Sequence, residues 1–201
     1  MGGKVIDIEI TRGKSFAQAY RYAEEKPLIW RDIDAIPSFA PVRLTVASHG
    51  VPDGWPIGVK EVRNPSELNT TDFSYEATVI DPDTIELNTT EISGARQYVG
   101  AGRICYPKPF DLTGCSARMQ IRDRIGGEVL LTFSSDLDSS PDGPIDIDVG
   151  FAALIVRLSP AATAAIVWSR GVYDLELTTP DGGVYPIALP SRVTVSPEVT
   201  R

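Results

Sequence analysis

Apolar and polar side chains alternate along most of this sequence with a period of two, in short runs broken by glycine, proline or aspartate. Val5-Ile6-Asp7-Ile8-Glu9-Ile10 is the first such run. Val42-Arg43-Leu44-Thr45-Val46, Thr84-Ile85-Glu86-Leu87, Ser116-Ala117-Arg118-Met119-Gln120-Ile121-Arg122 and Val172-Tyr173-Asp174-Leu175-Glu176-Leu177 repeat the pattern. An extended chain sends successive side chains to opposite faces, so these runs make half-buried strands and cannot make the 3.6-residue stripe of a helix. The 17 Gly and 16 Pro interrupt the chain too often for heptad runs. Turn signals recurring every roughly eight to twelve residues are the mark of a sandwich or small barrel.

The turns have identifiable chemistry. Arg12-Gly13-Lys14 separates Val5–Ile10 from the run Ser15–Tyr22, which predicts an opening hairpin. Asp81-Pro82-Asp83 and Pro180-Asp181-Gly182-Gly183 predict two more reversals, since Pro presets φ and Asp bonds nearby amides. Further strands are expected at Trp55–Val62, Tyr75–Ile80, Gly102–Ile104, Glu128–Phe133, Ile145–Val149, Ala153–Leu158 and Arg192–Val195. One short helix is expected, with Ser159 as its cap, Pro160 at the first position and Ala161–Ile166 as its body.

Composition narrows the functional classes. A formal net charge of -8 disfavours a nucleic-acid partner, which requires a basic footprint to displace counterions. No apolar run approaches the roughly 20 residues that span a bilayer, so no membrane insertion is expected. Met1 to Glu9 sets acids among its apolar residues, which argues against a signal peptide. The chain holds one histidine and two cysteines. His49, in Ser48-His49-Gly50-Val51-Pro52-Asp53-Gly54, lacks any nucleophile context and is read as a turn residue with a satisfied ring. Cys105 and Cys115 are read as free, partly buried thiols, with a disulfide as the alternative.

Candidate chemistry remains sparse. Asp136, Asp138, Asp142, Asp146 and Asp148 form the densest acidic cluster. Converging carboxylates would bind calcium, but the EF-hand spacing is absent, and Asp146 and Asp148 alternate with Ile145 and Ile147 as on a wet strand face. Two of these acids could serve a hydrolase only if their spacing in space allowed it. Trp30, Trp55 and Trp168 are the aromatic candidates for stacking on sugar, and Trp55, in a turn-rich loop, is the one expected to be exposed. Arg12, Arg21 and Arg31 with Tyr20 and Tyr22 read as a docking surface. Strands near Val5–Ile10 or Val193–Val195 are expected to offer open edges. No residue is assigned a catalytic, cofactor-binding or metal-ligating role, and no enzymatic activity or cofactor is expected.

The stretch Phe110-Asp111-Leu112-Thr113-Gly114-Cys115-Ser116-Ala117-Arg118-Met119-Gln120-Ile121-Arg122 resembles a signature of phage and prophage tail proteins. In that group a β-sandwich is similar to the N-terminal domain of upper-baseplate proteins. Leu158–Thr163, Trp168–Leu177 and Val193–Thr200 match in the same order, and Cys115 departs from the usual aromatic. Val42–Val46 with Ser48-His49-Gly50, Glu67-Leu68-Asn69, Tyr75–Asp81, Asp83–Asn88 and the Gly94–Gly102 tail resemble a second module. That module is similar to the first catalytic cysteine half-domain of ubiquitin-activating enzymes; here it implies no ubiquitin chemistry, and Leu68-Asn69 and Ile85-Glu86-Leu87 take turn and core roles. The resemblance implies an all-β chain: an Ig-like β-sandwich (1–36 and 106–201) interrupted by a small inserted β-barrel or sandwich domain (37–105), with one short helix. It further implies a virion structural protein of a phage tail or baseplate, an adaptor joining the tail to fibres or neighbouring tail proteins. Such a protein would stand in several copies around the tail axis, after residence in the host cytoplasm. A carbohydrate-binding module contacting the host surface is the alternative.

Overall fold

The computed structural model describes residues 3–88, 90–93, 97–139 and 141–198; the parts of the expected segments on residues 94–96, 140 and 199–200 lie outside them. The chain begins with β1 (Ile8–Thr11) and β2 (Phe16–Arg21). It continues through β3 (Ala23–Asp32), β4 (Ala35–Phe39), β5 (Val42–Thr45), β6 (Trp55–Lys60), β7 (Tyr75–Asp81), β8 (Thr84–Leu87) and β9 (Arg103–Pro109). The last part holds β10 (Ser116–Arg122), β11 (Val129–Ser134), β12 (Gly143–Asp148) and β13 (Ala153–Leu158). The helix α1 (Pro160–Ala164) then precedes β14 (Arg170–Thr178) and β15 (Val184–Ser196). The protein is nearly all β, as its alternation requires.

Two compact units divide the chain: residues 1–22 with 111–201, and residues 23–110. The boundaries expected at 36/37 and 105/106 therefore shift to 22/23 and 110/111. The reason is strand pairing: β3 is antiparallel to β9, with Trp30 opposite Cys105, so both strands belong to the inner unit.

In the outer unit the strand order is β1-β15-β14-β10-β11-β12-β13-β2. The opening hairpin does not form. β1 lies parallel to β15, with Ile8 opposite Val193, whereas β2 is antiparallel to β13 at the far end of the order. β11 and β12 join through only two parallel residue pairs, Phe133 with Gly143 and Ser134 with Pro144. Around that weak join the sheet folds over, and Tyr20 on β2 meets Tyr173 on β14 across the interior. Ile10, Ile121, Leu154, Val156, Leu175 and Leu177 fill the space between the layers with no exposed surface.

The signature segment has a local mechanism. Asp111 accepts the Thr113 amide at 2.9 Å, an Asx turn, and the Cys115 amide closes on the Leu112 carbonyl at 3.1 Å. Gly114 turns at φ +68, a conformation L side chains rarely adopt, and Leu112 is driven into the core. The chain then enters β10, the middle strand between β11 and β14, with Ala117, Met119 and Ile121 buried. The helix begins as its sequence predicts: Ser159 Oγ accepts the Ala162 amide at 3.2 Å. It stops after one turn, where Thr163 is buried and donates to the Lys14 carbonyl at 2.8 Å.

In the inner unit the order is β3-β9-β6-β7-β8-β5-β4. Its two end strands, β3 and β4, are almost one continuous chain. At the bend between them the Ile33 amide donates to Gly102 beside β9, and the Asp34 amide donates to Thr45 of β5, both at 2.9 Å. The bend thus ties the two ends of the sheet together, which gives the unit a near-barrel form. Val42, Leu44, Trp55, Ile57, Val59, Leu68, Ile85, Leu87 and Ile104 make its core. Asn69 completes it by accepting the Val62 amide at 2.9 Å and donating to the Val62 carbonyl at 2.8 Å.

Candidate interaction surface

The aromatic expected to be exposed is buried. Trp55 retains 1% of its surface, and its Nε1 donates to the Pro107 carbonyl at 2.9 Å. It lies in β6, whose inward positions Trp55, Ile57 and Val59 all face the core; the surrounding turn residues do not extend to it. Trp168 is half-buried and gives its carbonyl to Arg12 Nη2 at 3.1 Å. Trp30 is the exposed one, at 41%.

Trp30 belongs to an arrangement across three strands. Asp32 of β3 stands opposite Arg103 of β9, which stands opposite Lys60 of β6. The Arg103 guanidinium lies 5.0 Å from the Trp30 ring centre and holds Glu61 through Nη2 at 2.8 Å and Nε at 3.1 Å. The cation is thereby oriented on the ring, and the hydrogen bonds it donates to Glu61 reinforce its charge. A flat ring beside a fixed guanidinium and carboxylate can stack on a sugar or aromatic group while bonding its polar rim. Sequence reading missed this group because β3 was not recognised; the apolar run Leu28-Ile29-Trp30 was the available signal.

Three of the acids between Asp136 and Asp148 act individually on the backbone. Asp142 accepts the Thr132 amide at 2.7 Å, Asp136 accepts the Asp138 amide at 3.1 Å, and Asp148 accepts the Phe151 amide at 3.0 Å. Asp146 pairs with Arg157 at 2.9 Å on the exposed face of β12 and β13. Among the described residues no three histidine, cysteine or acidic side chains form a metal-binding group.

His49 is 2% exposed, with Nδ1 accepting the Val51 amide at 3.0 Å and Nε2 facing the Asp81 carbonyl at 2.9 Å. Since Nδ1 accepts, Nε2 is the donor, and both ring nitrogens serve the loop. Cys105 is buried and Cys115 half-buried, and both are free thiols. Burial pushes both thiols above their ordinary range, with Asp111 and then Asp181 adding to the shift at Cys115.

The arginine–tyrosine docking surface is not assembled as expected. Tyr20 and Tyr22 are 2% and 7% exposed, because inward positions of the chain's second strand and its extension face the core. Of the two expected open edges, the one near Val5–Ile10 agrees with β1 as an end strand, and the other does not. Val193–Val195 lies within β15, flanked by β14 and β1, so its edges are taken. The ends of the outer sheet are β1 and β2.

No protein-family model matches the chain, and no curated protein matches it in sequence.

Proposed function

We propose that this protein is a structural component of a phage tail or baseplate, an adaptor that seats fibres or neighbouring tail proteins. The observation that carries this reading is the role of the signature segment. Phe110–Arg122 is the Asx turn and central strand from which the outer sheet is built, so the residues carrying the resemblance are those that organise the unit. The inner unit, residues 23–110, enters between β2 and β10 and has its own core, which suits a second contact surface carried on a rigid platform. Function here is geometric: one unit holds position in the assembly and the other presents a surface to a neighbour.

The test is direct. Antibody labelling and mass spectrometry of purified particles from a strain encoding this chain should find it in the tail at fixed copy number. Particles that lack it while remaining complete and infectious would overturn the reading.

A carbohydrate-binding role is the second reading, and the exposed Trp30 beside Arg103 and Glu61 favours it. A glycan array read with the wild type and Trp30→Ala separates the two. Binding lost in the variant supports the second reading, and no binding to any glycan removes it.

A further inference from the structure

We propose that Asp32 is the specificity-determining residue of the Trp30 site, where its carboxylate accepts hydrogen bonds from neighbouring hydroxyls of a sugar ring stacked on the indole. The site thereby takes uncharged sugars and turns acidic ones away. The inference deepens the carbohydrate-binding reading and rests on it.

Backbone packing fixes the members of the site. Trp30 and Asp32 stand two positions apart in β3, both exposed, so they share a face at a spacing of about 7 Å along the strand. That spacing suits one hexose ring, whose face covers the indole while its edge hydroxyls reach the carboxylate. Glu61 follows β6 at φ +62, a region that non-glycine residues seldom occupy, and strain of this kind gathers at ligand sites. Gly102, which precedes Arg103, packs so closely on Val62, which follows Glu61, that a Cβ there would lie 2.7 Å from Val62 Cγ2. The Glu61–Arg103 pair is therefore set by its own backbone as well as by its hydrogen bonds at 2.8 and 3.1 Å.

The charges select the ligand. Asp32, Arg103 and Lys60 form one row across β3, β9 and β6. Both cations of the row are committed, Arg103 to Glu61 and Lys60 Nζ to the Thr70 carbonyl. Arg31 donates through Nη1 to the Trp30 carbonyl at 3.0 Å. Among the described residues none donates a hydrogen bond to the exposed Asp32 carboxylate, because its cross-strand neighbour Arg103 is turned to Glu61.

An acidic sugar would bring its own anion against Asp32 and Glu61, with neither cation of the row free to receive it. An ammonium group would meet a ring that already holds a guanidinium 5.0 Å from its centre. A plain aromatic group could stack, but it would leave Asp32 without a donor. An uncharged sugar satisfies both surfaces: its apolar face lies on Trp30, which is 41% exposed, and a pair of hydroxyls donates to Asp32.

A glycan array holding neutral glycans and their sialylated, uronic-acid and sulfated counterparts tests this with the full chain as wild type, Trp30→Ala and Asp32→Asn. The wild type should retain neutral glycans alone, and Trp30→Ala should abolish retention. Asp32→Asn keeps the shape of the side chain and removes its charge. It should weaken retention about tenfold, since hydrogen bonds to an ionised acceptor are roughly twice as strong as neutral ones, and leave the melting temperature unchanged. Its preference for neutral over acidic glycans should shrink as well. Acidic glycans retained equally well by the wild type, or retention indifferent to either substitution, overturns the proposal while carbohydrate binding itself stands. Retention of no glycan by the wild type removes that reading and this inference together.

Discussion

Tyr20 donates its hydroxyl proton to the Tyr173 hydroxyl at 3.0 Å, and Tyr173 in turn donates to the carbonyl of Ile6. The two rings meet edge to face with centroids 6.3 Å apart. This relay links β2 in one layer to β14 in the other and then to the segment leading into β1. Each phenol is 2% exposed, so every member of the chain depends on the next. Tyr20→Phe removes one bond and should cost about 1 kcal/mol in urea denaturation. Tyr173→Phe should cost more, about 2 kcal/mol, because it leaves the Tyr20 hydroxyl and the Ile6 carbonyl without their partner.

The same pair sets a pH response. Burial, followed by the hydrogen bond it donates to Tyr173, holds the Tyr20 phenol far above its ordinary range, and burial raises Tyr173 as well. The folded state therefore keeps protons that the unfolded chain releases above pH about 10, so folding stability present below that pH is lost as pH rises. Denaturation midpoints measured from pH 8 to 11.5 should fall steeply beyond 10. Tyr20→Phe should flatten the decline by up to about 1.4 kcal/mol per pH unit.

The two tryptophans should respond in opposite ways. Trp55→Ala empties a core site and should destabilise the inner unit by about 3–5 kcal/mol. Trp30→Ala removes a partly exposed ring from a surface strand and should shift thermal unfolding little, by about 1 kcal/mol or less. Calorimetry of both variants makes the comparison.

Asp142 stabilises the place where the outer sheet folds over. Its carboxylate accepts the Thr132 amide next to the two-residue join of β11 and β12. Asp142→Ala should lower stability by about 1 kcal/mol, seen as faster amide exchange at Thr132 and Phe133. Excess calcium should leave the melting temperature of the wild type unchanged, because the neighbouring acids bond separate backbone amides.

Thiol chemistry should distinguish the two cysteines. The intact protein should show two free thiols by mass after alkylation in denaturant. In the native state Cys115, half-buried, should label first, and Cys105, at 1% exposure, only on unfolding.

Local features were legible where local chemistry decides them. The strands Thr84–Leu87, Ser116–Arg122 and Ala153–Leu158 coincide with their expected bounds, and the Ser159 cap and the Asp181-Gly182 reversal form as their residue types require. β3 and β4 were missed because Glu24, Glu25, Lys26, Pro27 and Pro37 mask the period; a neighbouring strand, rather than propensity, holds them extended. The aromatic site was misassigned for a related reason. Turn residues near Trp55 predict exposure, whereas the inward parity of β6 buries it, and Trp30 acquires meaning only beside Arg103 of another strand.

The sequence by itself determined that this chain is β, where it turns, and that its single histidine sits in a turn-rich loop. Alternation defines two faces of a strand and the turn residues define its ends; both are properties of neighbours in the chain. Only the tertiary structure decided that β1 runs beside β15, with Ile6 bonded to Ser191 185 positions away, and that β2 lies at the opposite end of the sheet order. Backbone donors and acceptors are the same on every strand, so partner choice comes from how the buried faces stack. That stacking also selects which tryptophan is covered and which strand edge is left open.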